Sequence, residues 1–455
     1  MSSTTGDAPT LRRTLHLWDL VFYGLIMIQI TAPMPLFGVV QQEARGHVVT
    51  TVLIGMIAMM FTALSYGRMA RAYPSAGSAY TYVGRELHPA LGYITGWSML
   101  MDYVLNPIIC TIWCAKAAMN IVTAKEIGVA PEVLYAIWAV FFAALFTGLN
   151  LRGIKAAART NEILGVAMGV VVTWVLVAVA RFVLALPSRD PGFFLRPFYD
   201  PTTFSMSTLM TGTSVAVLTY IGFDAISTLS EEVHNPRRNI LVATVLVCFI
   251  IGVLSCIEVY AAQLVWPARE AFPDVDTAYV HVAGRVGGIV LFQVVNMTLL
   301  VATIGSGSGA QTAAARLLYG MGRDNSIPRS FFGALDPKTR VPRNNVLLTG
   351  AVILTGAFLM TYQLGAELLN FGAFIGFMGV NISSFVHYWV RGRDRGWSHL
   401  VLPLAGFLVC LGIWLSLRPV AQIGGAAWLA IGIAYGWWKT KGFKPELVKF
   451  EAPPE

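Results

Sequence analysis

The sequence predicts an all-α, polytopic membrane protein with twelve transmembrane helices, and three observations carry that prediction. Of its 455 residues 56% are hydrophobic and 12% charged, with a mean hydropathy of +0.64, far outside the range of soluble globular chains. Apolar runs of about 20 residues, enough to cross the hydrocarbon core, recur along the whole chain. Lys and Arg collect in alternate loops between those runs.

The runs fall at 17–37, 49–70, 90–121, 133–150, 162–186, 207–230, 240–265, 285–319, 345–362, 366–390, 399–417 and 421–438. With a cytoplasmic amino terminus, most of the 32 basic residues lie in inner loops and tails, among them Arg12, Arg13, Arg68, Arg71, Arg152, Lys155, Arg237, Arg238, Arg391 and Lys439. This bias places both termini in the cytoplasm of a multi-pass protein of the cell membrane. The polar first sixteen residues lead into an apolar run too long for a signal-peptide core, so no cleavable leader is expected. The short tails, marked by Pro9, Pro445, Pro453 and Pro454, hold no domain of their own, so 1–455 reads as one membrane domain.

Several function classes drop out. A net charge of +8 invites a nucleic-acid reading, but basic residues flanking spans are explained by membrane topology. Cys110, Cys114, Cys248, Cys256 and Cys410 all lie in apolar runs and read as small buried hydrophobes. The seven histidines are scattered near span ends and in loops, so no metal site, cofactor or catalytic constellation is expected and the chain is not read as an enzyme. The sequon at Asn296 lies inside a span, out of reach of glycosylation. A channel would need a standing water path, whereas charged short-looped ends suggest gates.

Two spans are interrupted. In span 1, Pro33 and Pro35 remove two backbone donors near the membrane midpoint and disfavour helix before them, predicting a break around Ile30 to Met34. Span 6 carries Gly222 at a comparable depth, beside Asp224. A kink and an ordinary helical glycine would also account for each alone. Paired at matching positions five spans apart, they point to an inverted-repeat transporter whose unwound backbone lines a cavity.

The stretch YIGFDAISTLSEEVHNPRRNI (220–240) resembles the sixth helix and following loop of the amino acid, polyamine and organocation (APC) transporter superfamily. ALSYGRMARAYPSAGSAYTYVGRELHPALGYITGW (63–97) and RLLYGMGRDNSIPRSFFGALDPKTRVPRNNV (316–346) are similar to the same family, and GWSMLMDYVLNP (96–107) resembles its putrescine-importer branch. The resemblance implies a 5+5 inverted repeat of the LeuT-like fold, with repeats at 17–186 and 207–390, two additional helices at 399–438, and alternating access. It also implies substrate bound between spans 1, 3, 6 and 8.

The break in span 1 reads Ile30, Thr31, Ala32, Pro33, Met34 and Pro35, where the family is commonly glycine-rich and offers N–H groups to a substrate carboxylate. Two prolines leave fewer donors, which disfavours carboxylate anchoring. In span 3, Asp102, Asn106, Ile109, Trp113, Lys116 and Asn120 share one helical stripe, with Asp102 and Asn106 near the middle. An intramembrane carboxylate is a functional candidate or the structural partner of another helix. Asp224 stands where a second half-helix begins and either caps its free N–H groups or meets substrate or a proton; the roles are compatible. Glu258, in the outer half of span 7, is a proton carrier, a gate residue or the partner of a polar neighbour.

Tyr220 and Phe223 flank the second break, either covering an ammonium group or simply packing. Span 8 contains TIGSGSGAQT (303–312), whose small residues suit close helix packing. Ser306 and Ser308 there either bond backbone or offer oxygens to sodium. The expectation is a secondary transporter that imports a small amine or polyamine, coupled to protons or sodium. An amino acid permease or exchanger is the alternative.

Overall fold

A bilayer core offers no water to unpaired N–H and C=O groups, so a chain of this composition must bond its backbone within helices. A computed structural model describes residues 15–74, 78–152, 158–230, 233–323, 327–336, 341–392 and 395–443, side chains of 158–164, 228 and 323 excepted. Arg12, Arg13, Lys155, Pro9, Pro445, Pro453 and Pro454, with Glu231 and Glu232 of the family-like loop, lie outside the described residues.

The helices run in chain order as α1 (Leu17–Ile28), α2 (Phe37–Glu43), α3 (Val48–Ala72), α4 (Ser78–Glu86), α5 (Pro89–Met119), α6 (Ala124–Ile127), α7 (Pro131–Leu151) and α8 (Ala158–Leu184). They continue as α9 (Met206–Ala216), α10 (Pro236–Val265), α11 (Ala278–Arg323), α12 (Arg329–Phe332), α13 (Arg343–Leu359), α14 (Tyr362–Phe385), α15 (Trp397–Leu415) and α16 (Pro419–Lys439). Among the described residues ten helices are long and apolar enough to cross a membrane, while Leu17–Ile28 and Arg343–Leu359 are apolar but shorter. The first is short because the break cuts span 1 in two.

The expected run at 285–319 is part of α11, where Gly288 leaves helical geometry at φ 67° and turns the leading segment against the rest. The run at 366–390 begins earlier, with the Thr361 hydroxyl accepting from Leu364 N–H as N-cap. It ends in a wider turn over Val386–Val390.

α5 is the axis of the bundle: 83% of its apolar window is enclosed by protein, against 22% for α15 and for α16. Small residues on its neighbours permit that enclosure. A Cβ on Gly372 would stand 2.5 Å from the Ser98 carbonyl oxygen, one on Gly356 2.5 Å from Ile108 Cδ1, and one on Gly307 2.8 Å from Cys110 Cβ. Gly372→Val is therefore expected to lower thermal stability by about 1–3 kcal/mol through overpacking. Gly376→Ala, whose Cβ would meet Met99 Cγ at an ordinary 3.5 Å, leaves it nearly unchanged, and melting of the two purified variants checks the contrast.

Candidate substrate site

The two interruptions meet. α1 stops at Ile28, Gln29 takes φ 74°, and the chain then runs through tight turns to Phe37. Few backbone groups are spent inside the break: Ala32 N–H bonds Gln29 O at 3.1 Å and Met34 N–H bonds Thr31 O at 3.0 Å. In span 6, α9 tightens into a 3₁₀ turn over Val217–Tyr220, Ile221 is extended, and Gly222 adopts φ 117° before a second 3₁₀ segment, Phe223–Leu229. That φ suits glycine alone. A Cβ there would lie 3.4 Å from Ile28 Cγ1, so the second break rests on the end of α1.

Beside this contact lies a cavity of about 100 Å³ between both breaks, α5, α11 and the start of α14. Its polar lining includes Gln29, Asn106, Thr303, Ser306 and Tyr362, with Ala32 from the first break and Ile109 and Trp113 from the α5 stripe. Gln29 also holds the break to α11, its Nε2 donating to Ala302 O at 2.8 Å. Asn106 Oδ1 accepts from the Cys110 thiol at 3.2 Å.

One helical turn along α5 from Asn106 lies Asp102, 5% exposed, within electrostatic reach of Asp224, 6% exposed. The backbone of Gly222, Asp224 and Ala225 interacts with the Asp224 carboxyl group at the start of the second half of span 6. The phenols of Tyr66 and Tyr103 face both carboxylates. Among the described residues neither aspartate has an ion-pair partner.

The remaining sequence candidates lie elsewhere around this centre. The Thr31 hydroxyl faces Met168 Sδ of α8 at 3.7 Å, and Met34 and Pro33 are buried. Ile30 is partly buried against the core. Tyr220 points away, donating to Val52 O of α3 at 2.8 Å. Phe223 packs against Tyr66 and Phe377 with ring centroids 5.4 and 5.3 Å away. Ser308 faces α7, where Asn150 Nδ2 reaches its carbonyl oxygen at 3.1 Å, so the two serines occupy different faces of α11. Glu258 lies outside the cavity lining, on α10.

Beyond Trp113, which lines the cavity, the polar stripe of α5 meets the connection before α11, a contact we call the latch. Lys116 Nζ pairs with Asp276 at 2.9 Å and Asp274 at 3.3 Å, and Trp113 Nε1 donates to Asp276 O at 2.8 Å. Nearby, Arg285 bonds Glu270 at 2.8 Å and stacks over Trp266 at 3.6 Å, and its hydrogen bond holds the Glu270 carboxyl below the usual range. At the opposite end buried Glu86 binds Arg391 and His387 at 2.8 Å each.

The amino acid permease family matches residues 22–440. The chain belongs to that family. It is 34% identical to the low-affinity putrescine importer PlaP of Escherichia coli (strain K12) over 449 residues, 97% of this chain and 96% of the relative. It is 25% identical over 455 residues, 94% of each chain, to the methylthioribose transporter of Bacillus subtilis (strain 168). With the cationic amino acid transporter 3, mitochondrial, of Arabidopsis thaliana it shares 25% over 379 residues, 79% of this chain and 60% of the relative. As an APC superfamily member close to the putrescine-importer branch, the chain is a multi-pass membrane transporter.

Gln29, Thr303 and Tyr362 join the site without having been singled out in the sequence. Gln29 carried a signal, an amide in an apolar run just before two prolines; Tyr362 carried none, because its approach depends on how α14 packs. In a Cys110→Ala background, a small water-soluble thiol reagent should modify Ser306→Cys about tenfold faster than Ser308→Cys; equal rates would contradict the assignment of faces.

Proposed function

We propose that this protein is a secondary active transporter that imports a small organic amine of the putrescine kind across the cytoplasmic membrane by alternating access. The observation that carries the reading is the Asp102 and Asp224 pair, two buried carboxylates without a basic partner among the described residues, one turn from the cavity. An isolated pair of buried negative charges is costly, and a bound ammonium group offsets that cost.

In this reading the cavity admits the amine between spans 1, 3, 6, 8 and 10. Asn106 Oδ1 and unwound carbonyls of the first break accept from it. The two aspartates attract its charge, and Tyr66 and Phe223 provide ring faces beside them. The twelve-span reading counts α1 with α2 as one interrupted span and α13 as a short one. Its first five and second five spans form the inverted repeat, α15 and α16 are added, and both termini are cytoplasmic.

Ser308 faces Asn150 of α7 and does not line the cavity, which leaves Ser306 as the one serine of the pair that could offer a sodium ion its oxygen there. This supports proton over sodium coupling. Both prolines of the first break lack donors for a carboxylate, which supports an amine over a zwitterion.

Purified protein in proteoliposomes should accumulate labelled putrescine under an inward proton gradient and not under a sodium gradient alone. Asp102→Asn should lower uptake about ten- to hundredfold, the scale of a lost charge-assisted hydrogen bond, with melting unchanged. Unimpaired uptake in that variant would remove the aspartate from the mechanism.

A further inference from the structure

The most exposed contradiction in the molecule is a hidden one. Glu258, on α10 two turns from its end at Val265, is 0% exposed, and neither carboxylate oxygen has a hydrogen-bond partner. Ser255, three residues earlier on the same face, is equally buried with an unpartnered hydroxyl. Among the described residues no Lys, Arg or His pairs with Glu258. Burying an unpaired carboxylate ion costs far more than a domain can spare, so the closed arrangement accepts this side chain only with its proton. A protein keeps such a group where another state uses it.

The surroundings identify that state. The Tyr279 phenol donates to the Glu258 carbonyl at 3.4 Å and its ring meets Phe37 of α2 edge-on at 5.7 Å. Tyr279 is three residues beyond Asp276, the residue paired with Lys116 in the latch. The segment 274–279 is thus held at one end by the latch and at the other against the turn that carries Glu258. Gly38 of α2 fits the same segment so closely that a Cβ would collide with the Val275 carbonyl oxygen. Lifting α2 and 274–279 would break the latch and admit water to Glu258 together.

We infer that Glu258 is a proton-binding site that controls closure of this latch, the segment 274–279 closing over the cavity only when Glu258 carries a proton. The inference rests on the transport reading above and adds the gate that serves the same cavity. The proton is taken from the outer solution while the latch is open and returned to it when the latch reopens. No other covalent bond is made or broken; opening separates the ion pairs of Lys116 with Asp274 and Asp276.

The titratable neighbours are few. Tyr279 is the group in charge contact with Glu258. His281 lies two residues further on, its ring against Phe292 at 5.4 Å and within electrostatic reach of Asp274. Asp276 also titrates in this segment, its carboxyl pushed up by burial against the opposing pull of Lys116. Replacing Glu258 alone separates its contribution from theirs.

The test measures the latch without any substrate. Spin labels at Ala271→Cys and Ile121→Cys, in a chain with the five native cysteines replaced, report the separation of segment and α5 end as external pH rises. The labels should move apart with rising pH in the parent and in Glu258→Asp, and stay close at every pH in Glu258→Gln. Amine uptake measured in parallel, with inner and outer pH shifted together so that the proton gradient stays constant, should fall with rising pH in the parent and lose that fall in Glu258→Gln. A Glu258→Gln chain that keeps the parent's pH-dependent separation overturns the inference and assigns the effect to Asp276 or His281. Label distances independent of pH in the parent overturn it as well. A pH-dependent separation with no amine uptake would leave the latch standing and sink the transport reading instead.

Discussion

Backbone that leaves a helix inside a bilayer has to find partners in protein or ligand, because lipid supplies none. That constraint organises this molecule. Span 1 is cut by Pro33 and Pro35 and span 6 by Gly222, and the structure resolves both interruptions by bringing them together at Ile28 and Gly222. Part of the freed backbone is satisfied locally, by the turn bonds of 29–37 and by the Asp224 carboxylate. What remains faces a small cavity against α5.

Everything else positions or guards that centre. α5 runs through the middle because Gly307, Gly356 and Gly372 let three neighbours approach its backbone. It therefore presents one polar stripe at successive depths: Asp102 before the cavity, Asn106 and Trp113 along it, Lys116 in the latch beyond. Charge is placed with the same economy. The ion pairs of the described residues join Lys116 to Asp274 and Asp276, Arg285 to Glu270, Arg196 to Asp190, Glu86 to Arg391 and His387, and Glu367 to Arg418. Among the described residues the carboxyl groups of Asp102, Asp224 and Glu258 have no basic partner.

Much of this was legible beforehand. Apolar run length marked the spans because the bilayer imposes a nearly fixed helix length, and the two prolines with a distant glycine marked the breaks because those residues act on the backbone directly. The stripe on α5 was readable because an unbroken helix keeps its period for 31 residues. Orientation failed to carry through the interruptions, where no period holds. Thr31, beyond the turn at Gln29, faces α8, and Tyr220, in the 3₁₀ turn that ends α9, faces α3, directions that no side-chain period encodes. Ser306 and Ser308 were separable in principle, since two residues on a helix lie on different faces. The latch was not, because the contact of Lys116 with 274–276 joins residues far apart in sequence.

The central claim is that the two breaks leave a cavity suited to an ammonium group beside paired carboxylates. The direct measurement is heat stabilisation of the purified protein by a panel of matched small molecules. A ligand at a hundred times its dissociation constant adds about 2.7 kcal/mol. The account predicts a concentration-dependent rise in melting temperature with putrescine, none with the diol of the same carbon skeleton, and loss of the rise in Asp102→Asn. Equal stabilisation by the uncharged diol, or stabilisation by carboxylates and by no amine, would contradict it.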